Sequence, residues 1–169
     1  MADAGFDPEN IFETLADSDV RFVLIGGMAA ILHGDAGVTM DIDITPAYDP
    51  ENLDRLATAL RGIRARIRAE GAPNGLPFDC SGEFLRNLGP DGMLNLTTRY
   101  GDVDLAFMPS GTEGFEDLKN NAVTVKATGV SLLVASLADV IRSKSAADRD
   151  KDRRALPRLR ELLDMTGQG

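Results

Sequence analysis

The sequence contains one cysteine and one histidine in 169 residues. It also lacks any apolar run near the roughly 18 residues that a membrane span needs. With Cys80 alone, an internal disulfide is excluded, which suits a reducing compartment. Cys80 has no histidine near it in sequence and no metal-ligand spacing, so it is not read as a nucleophile. His33 stands at the end of a short predicted helix beside Gly34 and reads as a capping or packing residue. The opening Met1-Ala2-Asp3-Ala4 has neither the basic nor the apolar region of a secretory leader. The expectation is a cytoplasmic protein with no membrane partner.

Positive charge is also scarce. The formal charge of -9 argues against a general nucleic-acid binder, because phosphate contacts require Lys and Arg. The distribution is uneven. Eight basic residues against three acidic ones from Arg142 to Arg160 make that segment about +5 and leave about -14 elsewhere. One end of the chain can therefore attract polyphosphate or RNA while the body repels it.

A hydrophobic content of 43% and a charged content of 27% are ordinary for a globular chain. The length fits one domain able to bury a sizeable core. Expected boundaries are a core over 1–135 and a basic helical segment over 136–169 packed on it. Asp7-Pro8-Glu9 and Asp49-Pro50-Glu51 read as helix starts, each with an Asp cap and Pro at the first helical position. The second helix runs to about Leu60, and the basic stretch Arg61 to Arg68 can continue it. Val20 to Ile25, Met40 to Ile44, Met93 to Thr98 and Val103 to Met108 read as strands. One or two more β-rich stretches lie around Gly129. Residues 71–92, rich in Gly, Pro and Asn, read as loops. Ser136 with Asp139 three residues later opens a final helical region in the manner of a capping box. An α/β core with a helical C-terminus is the simplest architecture.

Three features carry chemistry. Gly26-Gly27 breaks the first strand and opens a short helix, where bare backbone and the helix dipole suit an anion such as a triphosphate. Asp41-Ile42-Asp43 lies in a strand, so both carboxylates face the same side. Two anions at that spacing repel unless a cation lies between them, and Mg²⁺ can bridge them to a nucleotide phosphate. Val103-Asp104-Leu105 places a third acid in another apolar strand. Paired beside the first, it completes the equipment for two-metal, in-line phosphoryl transfer.

In their order, these features resemble the DNA polymerase β-like nucleotidyltransferase superfamily. Ile25-Gly26-Gly27-Met28-Ala29-Ala30, His33-Gly34, Thr39-Met40-Asp41-Ile42-Asp43, Gly101-Asp102-Val103-Asp104-Leu105, Val134-Ala135-Ser136-Leu137, Lys144 and Arg149-Asp150-Lys151-Asp152 carry the likeness over about residues 20–155. They are most similar to the AbiEii-type (abortive-infection) toxin nucleotidyltransferases. The resemblance implies a small mixed β-sheet core flanked by helices. It implies Asp41, Asp43 and Asp104 as catalytic metal ligands, and Gly26 and Gly27 lining the phosphate site. Lys144 would contact nucleotide phosphate, with Arg149 and Lys151 as further candidates, and Asp152 would hold Lys144 or Arg149 in place. Mg²⁺, as a two-metal site, would be the cofactor and an NTP the substrate. Transfer of the nucleoside monophosphate would release pyrophosphate. The implied acceptor is RNA, at the tRNA 3′ end, and the implied partner a cognate antitoxin. Two alternatives stay open: an antibiotic-modifying nucleotidyltransferase, and an inactive fold serving as an interaction module. The sequence departs from the pattern twice, with Gly27 where many relatives have Ser and Gly37 where this branch often has Arg.

Overall fold

A computed structural model describes residues 5–167. Residues 1–4, on which the leader reading rests, and 168–169, at the end of the basic segment, lie outside the described residues. The chain forms α1 (Pro8–Asp17), β1 (Phe22–Ile25), α2 (Gly26–Leu32), β2 (Asp41–Pro46), α3 (Pro50–Gly62), β3 (Arg66–Ala69) and β4 (Ala72–Leu76). It continues with α4 (Gly82–Asn87), β5 (Met93–Thr98), β6 (Gly101–Ala106), α5 (Phe115–Asn121), β7 (Val123–Ala127), β8 (Val130–Val134), α6 (Leu137–Ala147) and α7 (Asp150–Thr166).

Both Asp-Pro helix starts form as their chemistry dictates. Asp7 accepts from the Asn10 N–H and Asp49 from the Asn52 N–H, each ahead of a proline that has no N–H in need of an acceptor. The strands join one mixed sheet in the order β4-β3-β5-β6-β2-β1-β8-β7. Alternation in β2 sends Ile42 and Ile44 into the core, where Val23, Leu24, Leu96, Val103 and Leu105 also lie buried. An α/β core with a mixed sheet and a helical C-terminus is thus what the chain builds.

Two sequence expectations are corrected. Arg61 to Arg68 continues α3 only as far as Gly62: Arg64 turns the chain at φ 56°, and Arg66–Ala69 enters the sheet as β3. Residues 71–92 are not only loops, because they contain β4 and α4. Gly75 explains how a turn-like composition becomes a strand. A β-carbon there would lie 2.8 Å from that of Arg66 and 2.9 Å from the Ile67 carbonyl oxygen, so only glycine lets β4 close on β3. At α6, Ser136 Oγ accepts from the Asp139 N–H, but the Asp139 carboxylate turns to Arg142, so only half of the capping box forms. Asp148, in the left-handed conformation, separates α6 from α7.

Asn52 is the polar tie of this framework. Fully buried, it accepts from the Arg21 N–H at 2.7 Å and donates to the carbonyls of Arg21 and Ala47, both at 2.9 Å. The Arg21 carbonyl also accepts from the Ala47 N–H at 3.0 Å, so Asn52→Leu would take the partner from the Arg21 N–H and the Ala47 carbonyl, a loss of about 2–3 kcal/mol. A thermal melt should show a midpoint lower by roughly 5–10 °C. An unchanged midpoint would show that the tie is dispensable.

Candidate active site

Two rows of acids cross the sheet. The strands β2 and β6 run parallel and in register, pairing Asp41 with Asp102 and Asp43 with Asp104. Side chains two apart on a strand share a face, so the register delivers all four acids to one side. One ligand oxygen each from Asp41, Asp43 and Asp104 fits within 4.8 Å of the others. These are hard oxygen donors of the kind that Mg²⁺ takes. The three half-buried residues assigned to the metal from sequence therefore converge on one point.

The first-strand turn is shaped around this cluster. Gly26 has φ +71°, and a β-carbon on it would lie 2.1 Å from Asp43 Oδ2. Its bareness serves the Asp43 carboxylate before it serves any ligand. Thr39 donates its hydroxyl to Asp41 Oδ1 at 2.9 Å, fixing the first carboxylate of the pair. The same hydroxyl lies 3.2 Å from where a β-carbon on Gly27 would sit, so a hydroxyl already stands beside the position of the absent Ser.

Sequence reasoning missed Arg68. Its guanidinium reaches across β5, donating to Asp104 Oδ1 at 2.6 Å and to the Leu96 carbonyl at 3.1 Å, and pairing with Asp102 Oδ2 at 3.1 Å. The alternation of Arg66-Ile67-Arg68-Ala69 was the available strand signal, hidden by the run of basic residues before it. Even with this cation present, the acids are overcrowded. Burial, then the charges of Asp41 and Asp104, push the Asp43 carboxyl up to about 7. Burial also raises Asp104, against the opposing hydrogen bond and charge of Arg68.

The opposite flank is cationic. A cavity of about 880 Å³ extends from the acids to α6 and α7, with Lys144, Arg149, Lys151 and Arg158 on its wall. Asp152 is fully buried and holds two of these: Lys144 Nζ at 3.6 Å and Arg149 Nε at 2.7 Å. Lys151 is exposed, and its charge acts on Asp43 to lower it. Arg158 forks onto Asp35, with Nε at 2.5 Å and Nη2 at 3.1 Å. Its Nη2 also lies 3.2 Å from where a β-carbon on Gly37 would be, so a guanidinium from α7 fills the space beside the missing Arg.

The two lone residues have structural partners. His33 caps α2 and donates Nε2–H to the Ala135 carbonyl at 2.8 Å. Cys80 is half-buried and its thiol, donating to the Ala57 carbonyl at 3.7 Å, is pushed up to about 11 by burial. A thiol so protonated at neutral pH is a poor nucleophile.

Compared by sequence, the chain matches no protein-family model and no curated protein. Compared by structure, it is similar to solved nucleotidyltransferases. One is the lincosamide antibiotic adenylyltransferase LnuA in its lincomycin-bound form, at TM-score 0.59 and 15% identity over 94% of this chain and 99% of that one. Another is the antibiotic-resistance factor ANT(2'')-Ia, at TM-score 0.57 and 13% identity over 94% and 82%. The fold is a nucleotidyltransferase fold.

The proton held at Asp43 makes metal-free stability depend on pH. Its folded value, about 7, lies above the ordinary 3.8, so the stabilisation is present at low pH and is lost as pH rises towards 7. Metal-free protein should therefore melt lower at pH 7.5 than at pH 5.5. Mg²⁺ should reverse the loss at pH 7.5, and Asp43→Asn should shrink the pH difference to the share that Asp104 contributes. A metal-free melting point that climbs between pH 5.5 and 7.5 would contradict this account of the cluster.

Proposed function

We propose that this chain is a Mg²⁺-dependent nucleotidyltransferase that moves a nucleoside monophosphate from an NTP to a hydroxyl of a small-molecule acceptor. The observation that carries the reading is the convergence of Asp41, Asp43 and Asp104 within 4.8 Å. Three carboxylates so close, with Asp43 driven to hold a proton near neutrality, form a site that a divalent cation relieves. Asp41, Asp43 and Asp104 would hold the metal, which when bound neutralises charge on the reacting phosphate. The residues themselves then divide the work. Lys144 and Lys151 face the phosphates from the α6–α7 flank, and Asp152 fixes the first of them. Gly26 leaves the carboxylate edge open. Asp104 accepts the proton of the attacking hydroxyl.

Two observations favour a small acceptor over RNA. Of the eight basic residues between Arg142 and Arg160, Arg142, Lys144, Arg149, Arg153 and Arg158 are already paired with carboxylates of this chain. Intramolecular pairing reduces the charge available for phosphate backbone. The lincosamide enzyme also matches over 99% of its length, so the two chains share nearly the same extent of fold. RNA at the tRNA 3′ end, with an antitoxin partner, is the second reading. It rests on the AbiEii-like motifs and on the exposed Lys151, Arg154 and Arg160 along α7. Either acceptor, with NTP and Mg²⁺, would be met in the cytoplasm. Among the described residues, no helix is long and apolar enough to cross a membrane.

The test is transfer from each labelled NTP with Mg²⁺ to lincomycin, a panel of aminoglycosides and total tRNA. A labelled small molecule with release of pyrophosphate is expected. Asp41→Asn and Asp104→Asn should each lower transfer by at least ~10³-fold. Lys144→Ala should raise the KM for NTP about tenfold while the protein stays folded. Labelled tRNA in place of a drug would move the assignment to the second reading. No transfer and no nucleotide binding would leave only the interaction module.

A further inference from the structure

Arg68 has no role in the reading above, yet it is the cation nearest the third carboxylate. Its geometry is that of a held group. The guanidinium, a third exposed, meets Asp104 Oδ1 at 2.6 Å, Asp102 Oδ2 at 3.1 Å and the Leu96 carbonyl at 3.1 Å. Three fixed acceptors leave a planar fork little freedom. Arg68 binds Asp104 at Oδ1, and the same carboxylate also meets Asp43, so its orientation is fixed from two sides.

The sheet order says which ligand. Reading outward from the acids, one side runs through β2 and β1 to α2, α6 and α7, with Lys144 and Lys151. The other runs through β6 and β5 to β3, with Asn95, Met93 and Arg68. In phosphoryl transfer the attacking and leaving oxygens lie roughly in line across phosphorus. With the triphosphate tail on the lysine side, the acceptor approaches from the side of Arg68.

Building on the nucleotidyltransferase reading, we propose that Arg68 is a positioning residue that clamps one oxygen of Asp104 and aims the other at the hydroxyl of an acceptor lying over β5 and β3. In the step, the acceptor oxygen forms a bond to the α-phosphorus and its proton passes to Asp104. The bond from α-phosphorus to the bridging oxygen breaks, and its electron pair leaves with pyrophosphate. A clamped Asp104 keeps its orientation while the proton moves. The guanidinium also competes with a metal for the same carboxylate, which gives the proposal a signature that simple structural support lacks.

The experiment compares wild type, Arg68→Gln and Arg68→Lys, each first checked for a cooperative melt. Mn²⁺ binding is measured by electron paramagnetic resonance without nucleotide, and transfer is measured with the acceptor labelled in the panel above. Arg68→Gln should bind Mn²⁺ about threefold more tightly, because a competing cation is gone. Its kcat should fall about 100-fold while the KM for NTP holds within threefold, because the phosphate flank is untouched. Arg68→Lys, which keeps the charge and loses the fork, should recover about tenfold of that loss. Weaker Mn²⁺ binding in Arg68→Gln, or a kcat within threefold of wild type, overturns the proposal. If wild type transfers to no acceptor, the underlying function fails instead, and the Mn²⁺ comparison still decides whether Arg68 competes at Asp104.

Discussion

Mutual repulsion among carboxylates at the starts of β2 and β6 is the constraint that the surrounding structure answers. Parallel, in-register pairing sets Asp41 beside Asp102 and Asp43 beside Asp104, and the core behind them leaves no room to spread apart. Four acids on one small patch demand compensation. The fold supplies some through Arg68 and some through a proton retained by Asp43, and a metal would supply the rest. Gly26 and Thr39 belong to the same response, one making room for Asp43 and the other binding Asp41.

Charge is segregated around this patch in a way that suits phosphoryl transfer. Lysines and arginines from α6 and α7 face it from one side, anchored by the buried Asp152 and by Asp35. Burial of Asp152 is opposed by its bonds to Arg149 and the charge of Lys144, which together hold it below the usual carboxylate range. Asp35 is likewise lowered, chiefly by the fork of Arg158. These carboxylates remain ionised and hold the cations in place. The two departures from the superfamily pattern become intelligible in the same frame. Thr39 stands beside Gly27, and Arg158 stands beside Gly37, so each absent side chain has a group of like chemistry next to its place.

Much of the site was legible in the linear chain because it depends on local rules. Period-2 alternation placed Asp41 and Asp43 on one face, and the same rule marked Asp104 as an acid in an apolar strand. The Asp-Pro starts of α1 and α3 and the glycine turn at Gly26 are read within a few residues. Arg68 was not legible, because the arginines after α3 read equally as a charged helical face and hide the short alternation of Arg66 to Ala69, which forms an inner strand. Gly75 and the strand around it were hidden for a related reason: a glycine-rich composition signals a turn until a neighbouring strand is known to press against it.

By itself the sequence determined the alternation, the caps, the three acids and the basic end of the chain, since each follows from residue type and spacing. Only the tertiary structure decided that β6 lies parallel beside β2, which turns three separate aspartates into one cluster. It alone decided that β3 lies close enough for Arg68 to reach Asp104, and that Arg158 meets Gly37 across 121 positions of chain. Strand order and long-range pairing arise from how the whole core packs, and no short window of sequence contains that information.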